Sequence, residues 1–195
     1  MTLNQLEGHK ALEKSLAKAH LIRLLQNAHA GERAAANAYW GHAYSLFTTD
    51  PIERAEILKI YEDELHHRKA LKKMLTDLGA APRLLREIGM FLVGATIALL
   101  CQFGGWFIPM YGAGKLESTN IEEYEVAARL ALLAGHEELI DELISFAQVE
   151  FDHEVYFRNK ASCHRLAKIF GLWPATRQRE IIQSDFDTFK ARKII

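Results

Sequence analysis

Two Glu-x-x-His motifs carry the clearest chemistry in the chain: Glu64-Leu65-His66-His67 and Glu150-Phe151-Asp152-His153. On a helix, residues three apart share a face, so a carboxylate and an imidazole in this spacing can grip one metal ion together. Either motif alone is common on solvated helices. Their surroundings set these two apart. Steps of three and four around the first give Ile60, Glu64, His67, Leu71, Met74 and Leu78; around the second they give Leu139, Leu143, Phe146, Glu150, His153 and Phe157. Each stripe is apolar except at the motif, and ionised groups on a core face are costly unless paired or metal-bound. The neighbouring Asp63 and His66 share a stripe with Glu56, Lys59 and Lys73, and are expected to face water.

Two single glutamates show the same anomaly. Glu32 falls on the stripe Leu21, Leu25, Ala28, Ala35, Tyr39, and Glu117 on Met110, Gly114, Ile121, Tyr124, Ala128. Glu32 precedes Glu64 by 32 residues, and Glu117 precedes Glu150 by 33. The chain thus repeats one unit: a Glu, then a Glu-x-x-His, at a distance that suits an antiparallel helix hairpin. One Glu from each of two helices and Glu-x-x-His from each of two others is the ligand recipe of di-iron and di-manganese carboxylate bundles. The expected ligands are Glu32, Glu64, His67, Glu117, Glu150 and His153. Glu123, whose stripe is also fairly apolar, rivals Glu117, whereas Glu122 and Glu125 look solvated. A carboxylate-rich, thiolate-free set suits two iron ions, with manganese as the alternative, better than copper, and its histidines argue against calcium. Glu117 or Glu150 is the expected bridge between the ions. Tyr61 and Tyr124 either donate hydrogen bonds near the metals or simply pack.

Helices are what could position these groups. The 195 residues suffice for one domain with a sizeable core. A net charge of −1 argues against a nucleic-acid partner. Two cysteines without a CxxC pair exclude a disulfide framework, a four-cysteine zinc site and a rubredoxin module. Strand-like alternation is absent, and Pro and Gly punctuation predicts helices over about 8–47, 51–78, 109–134, 136–170 and 175–191. The class is all-α: a bundle core over about 20–160, one long apolar crossover, and a C-terminal extension over 161–195, in one domain of 1–195.

The crossover is unusual. Residues 88–114 contain no charge, a length in the transmembrane range. Gly94, Gln102, Gly104-Gly105 and Pro109 interrupt it, so a buried crossover or a segment dipping into the membrane interface is favoured over a spanning helix. The first residues are too polar for a signal peptide, which makes the cytoplasm the expected location. Elsewhere, Tyr39, Trp40 and Tyr44 read as packing. His42, His136 and His164 read as surface residues, His9 and His20 as solvated, and Cys101 as an inert buried thiol. The basic run Lys190-Ala191-Arg192-Lys193 reads as a solvated tail.

Several runs resemble the demethoxyubiquinone hydroxylases, di-iron enzymes of ubiquinone biosynthesis within the ferritin-like superfamily. His29-Ala30-Gly31-Glu32 is similar to the signature that opens that family's bundle. Tyr61 to His67 looks like its second metal motif, and Gly94-Ala95-Thr96-Ile97-Ala98-Leu99-Leu100 like its Gly/Ala-rich apolar segment. Leu116-Glu117 with Tyr124 looks like its third ligand helix, and Glu150 with His153 matches the fourth. The resemblance spans roughly 22–157 and favours Glu117 over Glu123. The chain departs from the family in a longer apolar segment, in Phe151-Asp152, and at Glu123, where the family has a His thought to assist electron transfer. The rubrerythrin-like branch also matches the ligand spacing.

The resemblance implies a ferritin-like four-helix bundle and a di-iron monooxygenase that hydroxylates a membrane-borne prenylated quinone with dioxygen, its electrons coming ultimately from NADH. Glu117, Glu150 and Tyr124 would serve the reaction. It also implies peripheral attachment, through 88–114, to the cytoplasmic face of the membrane. The alternative is a ferritin-like or rubrerythrin-like iron oxidase or peroxide reductase without a quinone substrate.

Overall fold

The computed structural model describes residues 3–194, all of whose regular elements are helical. Helix α1 (Leu3–Ala43) pairs with α2 (Pro51–Asp77), and α4 (Phe107–Ala134) pairs with α5 (Ile140–Ser162), giving two hairpins. Helix α3 (Leu84–Leu100) connects them and lies along α1, which also packs on α4. Two shorter helices, α6 (Ala167–Phe170) and α7 (Arg179–Ile194), complete the chain, with α7 resting on α4 and α5. This is the all-α, ferritin-like architecture expected from the sequence.

The hairpins turn where the local chemistry dictates. Asp50 caps α2 by accepting from the Ile52 N–H at 2.9 Å, with Pro51 in the first turn. Helix α4 ends at Gly135 in a left-handed conformation, and the His136 N–H closes the turn onto the Ala131 carbonyl at 2.9 Å.

The helix expected over 136–170 is divided. A 3-10 turn at Glu137–Leu139 precedes α5, and α5 stops at Ser162. There Ser162 Oγ and Cys163 Sγ both bond the Asn159 carbonyl, at 2.8 and 3.3 Å, competing with the backbone ladder. The crossover is likewise a helix in its own right and not a buried strap. Among its residues only Glu87 and Gly94 are buried, and Leu84, Leu85, Ile88, Leu92, Leu99 and Leu100 are exposed. No helix among the described residues is long and apolar enough to cross a membrane.

Helices α1 and α3 meet without room for side chains at two points. A Cβ on Gly94 would fall 2.6 Å from the Ala34 carbonyl oxygen, and one on Gly41 would fall 2.4 Å from Ala98. This close crossing fixes α3 beside the stretch of α1 that carries Glu32.

The core has two main parts, one on each side of a polar layer. Leu21, Leu25, Leu71, Met74, Leu143 and Phe146 belong to one, and Tyr39, Ile57, Ile60, Met110 and Phe157 to the other. Along every bundle helix the predicted ligand falls between these two groups. Antiparallel pairing therefore brings all four polar positions to one level.

Candidate metal centre

Glu32 on α1, Glu64 and His67 on α2, Glu117 on α4, and Glu150 and His153 on α5 converge at that level, and all six are buried. They form two overlapping groups whose candidate ligand atoms lie within 4.8 Å of one another: Glu32, Glu64, His67 and Glu150; and Glu64, Glu117, Glu150 and His153. Glu64 and Glu150 are common to both. Glu117, one of the two residues expected to bridge, lies in only one group; Glu64 occupies the second shared position. Glu123 stands outside both, half-buried in the wall of a neighbouring cavity.

The arrangement leaves strong ligand atoms without partners. Glu32 Oε2, both oxygens of Glu64 and of Glu150, His67 Nδ1 and His153 Nδ1 are buried and make no hydrogen bond. His67 Nδ1 lies 3.0 Å from Glu150 Oε1, and His153 Nδ1 lies 3.6 Å from Glu64 Oε1 and 3.7 Å from Glu150 Oε2. Buried polar groups are normally satisfied. Seven orphaned atoms facing one point fit a pair of divalent cations, and a donor set of four carboxylates and two imidazoles fits iron or manganese.

The electrostatics agree. Burial, and then the charges of Glu32 and Glu150, push Glu64 well above the usual carboxylate range. Burial and Glu150 do the same to Glu117, and burial raises Glu32. Glu150 is pulled the other way. Burial would raise it, but His153 and His67 against its oxygens outweigh that and hold it below the usual range. Four carboxylates this close cannot all ionise without added positive charge.

Around the six sits a set of partners, of which sequence reasoning anticipated only Tyr124. Asp63 was expected in water; instead its Oδ2 lies 3.2 Å from His153 Nε2, leaving Nδ1 to face the cluster. A carboxylate in this place fixes ring orientation and makes the imidazole a better ligand. Tyr39, read as packing, donates its hydroxyl to Glu117 Oε1, and Asn120 Nδ2 donates to Glu117 Oε2 at 2.9 Å. Tyr124 donates to Glu32 Oε1, whereas Tyr61 makes no hydrogen bond of its own here and packs beside Ile60 and Tyr39. The spacing of Asp63, immediately before Glu64, held the signal. Its stripe also carries lysines, so periodicity placed it outside.

Two further expectations are corrected. Glu125, read as solvated, is buried, because the C-terminal extension covers that face of α4 and brings Arg177 onto its carboxylate. Glu154, which the sequence did not single out, is equally buried and accepts from Trp173 Nε1 at 2.6 Å, Arg158 Nε at 2.7 Å and Thr176 Oγ1 at 3.1 Å. His42, read as a surface residue, is only 2% exposed, and burial lowers its imidazole to about 4. Cys101 is buried as expected, its thiol raised by burial to about 11.

Two cavities adjoin the centre between α1, α3 and α4. One, of about 610 Å³, is almost wholly apolar and is lined by Tyr39, His42, Ile97, Phe103, Ile108 and Leu116 among others. The other, of about 340 Å³, shares Ala35, Ala38, Ile97 and Leu116 with it and reaches Glu32 and Tyr124. Tyr39 therefore joins the larger cavity to the carboxylate cluster.

The helix arrangement and the inward carboxylate–histidine layer define a ferritin-like carboxylate bundle. Within that class, residues 19–108 match the family model described as ubiquinone biosynthesis protein COQ7, and over that stretch the chain is similar to the demethoxyubiquinone hydroxylase family. The match supports a role in ubiquinone biosynthesis, and the family is a di-iron one. It ends before Glu117, Glu150 and His153, so the second ligand hairpin is assembled by the fold. Comparisons with curated proteins and with solved structures return no match.

Proposed function

We propose that the chain is a di-iron monooxygenase that hydroxylates the ring of a prenylated quinone borne by the membrane. The observation that carries this reading is the shared wall. An apolar cavity of about 610 Å³ touches the carboxylate cluster through Tyr39. A soluble iron oxidase has little use for such a cavity. A substrate with a flat ring and a hydrocarbon tail fills it and sheds its water there.

Glu32, Glu64, His67, Glu117, Glu150 and His153 would hold two iron ions, with manganese as the alternative occupant. Bound there, the ions supply dioxygen activation, with electrons from an external donor. The side chains around them do the positioning. Tyr39 and Asn120 hold both oxygens of Glu117, Tyr124 holds one oxygen of Glu32, and Asp63 sets the ring of His153. The unshared carboxylates Glu117 and Glu32 can swing only by exchanging these hydrogen bonds. The cavity walls exclude water from the ring under attack.

Helix α3 suits attachment to a bilayer surface. Its outward residues Leu84, Leu85, Ile88, Leu92, Leu99 and Leu100 are exposed, and Phe103 and Ile108 continue the patch to the cavity wall. An interfacial helix of this kind lets an isoprenoid tail pass from lipid into the protein. The site would then work at the cytoplasmic face.

Deletion of the gene in a ubiquinone-producing host tests the reading. The demethoxy precursor should accumulate, and the intact chain, but not Glu64→Gln, should restore ubiquinone. Normal ubiquinone in the deletion strain would rule out the substrate. Oxidation of added ferrous iron or turnover of peroxide by the purified chain, unaffected by quinone, would favour the ferritin-like alternative.

A further inference from the structure

His42 Nε2 is a buried nitrogen with no partner anywhere in the described fold, and it lies outside the carboxylate cluster. The residue sits on α1 three positions after Tyr39, in the wall of the large apolar cavity. Its ring is held by packing. It stacks on Phe157 at 6.4 Å between centroids and 21° between planes, and Phe157 stacks on Tyr39 at 5.6 Å and 11°. The other polar side chains of that wall are already accounted for: the Tyr39 hydroxyl is committed to Glu117, and Cys101 is a neutral thiol. A buried imidazole nitrogen left unsatisfied beside an apolar cavity costs stability, and no group of the described fold repays it.

We propose that His42 is the hydrogen-bonding group that orients the oxygen-bearing ring of the substrate in this cavity. The inference rests on the quinone reading above and goes beyond it by naming the residue that recognises the ring. Burial keeps the imidazole neutral near pH 7, so its two tautomers serve the two redox forms of such a ring. With hydrogen on Nε2 it donates to a quinone carbonyl; with the nitrogen bare it accepts from a quinol hydroxyl. Because His42 and Tyr39 lie one helical turn apart in the same wall, a ring held by His42 rests on the side of the cavity that adjoins Glu117. The rest of the lining offers only apolar contact, so His42 supplies recognition and the walls supply bulk affinity.

The test is a binding comparison on the full chain in mild detergent, by isothermal titration calorimetry. The two probes are a methoxy-methyl-benzoquinone with a decyl tail and decylbenzene. The intact chain should bind the quinone about tenfold more tightly than the hydrocarbon, the margin of one hydrogen bond to a buried neutral partner. His42→Phe should lose that preference and bind decylbenzene unchanged, while His42→Gln, which keeps a donor and an acceptor, should retain most of it. An undiminished preference in His42→Phe would overturn the assignment and leave the quinone reading standing. Binding of neither probe by the intact chain would sink both. Should the variants fail to fold, the imidazole nitrogens of the intact chain provide a second reading. The ¹⁵N resonance of Nε2 should move on adding the quinone and not on adding decylbenzene, and a resonance that ignores the quinone overturns the proposal.

Discussion

Asp63 Oδ2 and His153 Nε2 lie 3.2 Å apart although ninety residues separate them in the chain. The contact crosses from α2 to α5 and ties the two hairpins together beside the centre. It commits Nε2 of His153 outward and turns Nδ1 toward Glu64 and Glu150.

Asp63→Asn should therefore weaken metal binding by about 10–100-fold, the usual effect of removing such an orienting carboxylate. Ferrous or manganous titration followed by elemental analysis measures it. Asp63 is partly exposed, so the melting temperature of the metal-free chain should change little. Equal loss of both would make the residue merely structural.

Glu64 and Glu150 belong to both candidate ligand groups, whereas Glu32 and Glu117 each belong to one. Glu64→Gln or Glu150→Gln should abolish stoichiometric loading. Glu32→Gln or Glu117→Gln should leave about one ion per chain. Metal content per chain after anaerobic iron loading and desalting distinguishes these outcomes.

The same geometry predicts how pH acts on the metal-free chain. Burial and neighbouring carboxylates raise Glu64 and Glu117, so their contribution to stability is fully present below the ordinary carboxylate value and is lost as pH climbs through the raised one. His153 is raised to about 9 because Asp63 and Glu150 outweigh its burial, so its contribution is present below 6.5 and lost by about 9. Glu150, lowered, acts oppositely but only in acid. The melting temperature without metal should fall between pH 6.5 and 9, and the rise on adding ferrous ion should grow over that range. Loading in weak buffer should release protons, readable with an indicator dye.

The C-terminal extension is part of the folded body. Trp173 is buried against α4 and α5, its indole N–H donates to the buried Glu154, and Ile182 and Phe186 of α7 enter the core. Trp173→Leu removes aromatic bulk and leaves a carboxylate short of a donor, a loss of about 3–5 kcal/mol. Trp173→Phe keeps most of the ring and should cost about 1–3 kcal/mol. Urea unfolding at pH 7 gives both values, and a midpoint unchanged in Trp173→Leu would show the extension to be dispensable.

Much of this was legible in the residues alone because helical periodicity is local. Ile60, Leu71 and Met74 around Glu64, or Leu143 and Phe157 around Glu150, mark an inward face without any knowledge of the partner helix. The repeat of one Glu followed by Glu-x-x-His then requires two hairpins, and Asp50-Pro51 and Gly135 say where they turn. What local pattern could not convey was which outward face another element would cover. Glu125 looks solvated on its own helix, and only the return of Arg177 covers it, just as Trp173 covers Glu154. His42 looks like a helix-end surface residue until α3 and α5 close over it.

By itself, then, the sequence determined the four long bundle helices, the six inward carboxylates and imidazoles and the uncharged connection, since each depends on neighbours within a turn or two. The tertiary structure decided that Glu64 and Glu150 are the shared pair. It also decided that Asp63 holds His153, that Tyr39 and Asn120 hold Glu117, and that α3 exposes its apolar residues instead of burying them. The physical reason is distance along the chain. The Tyr39–Glu117 and Asp63–His153 contacts join residues 78 and 90 positions apart, and no local periodicity records a partner that far away.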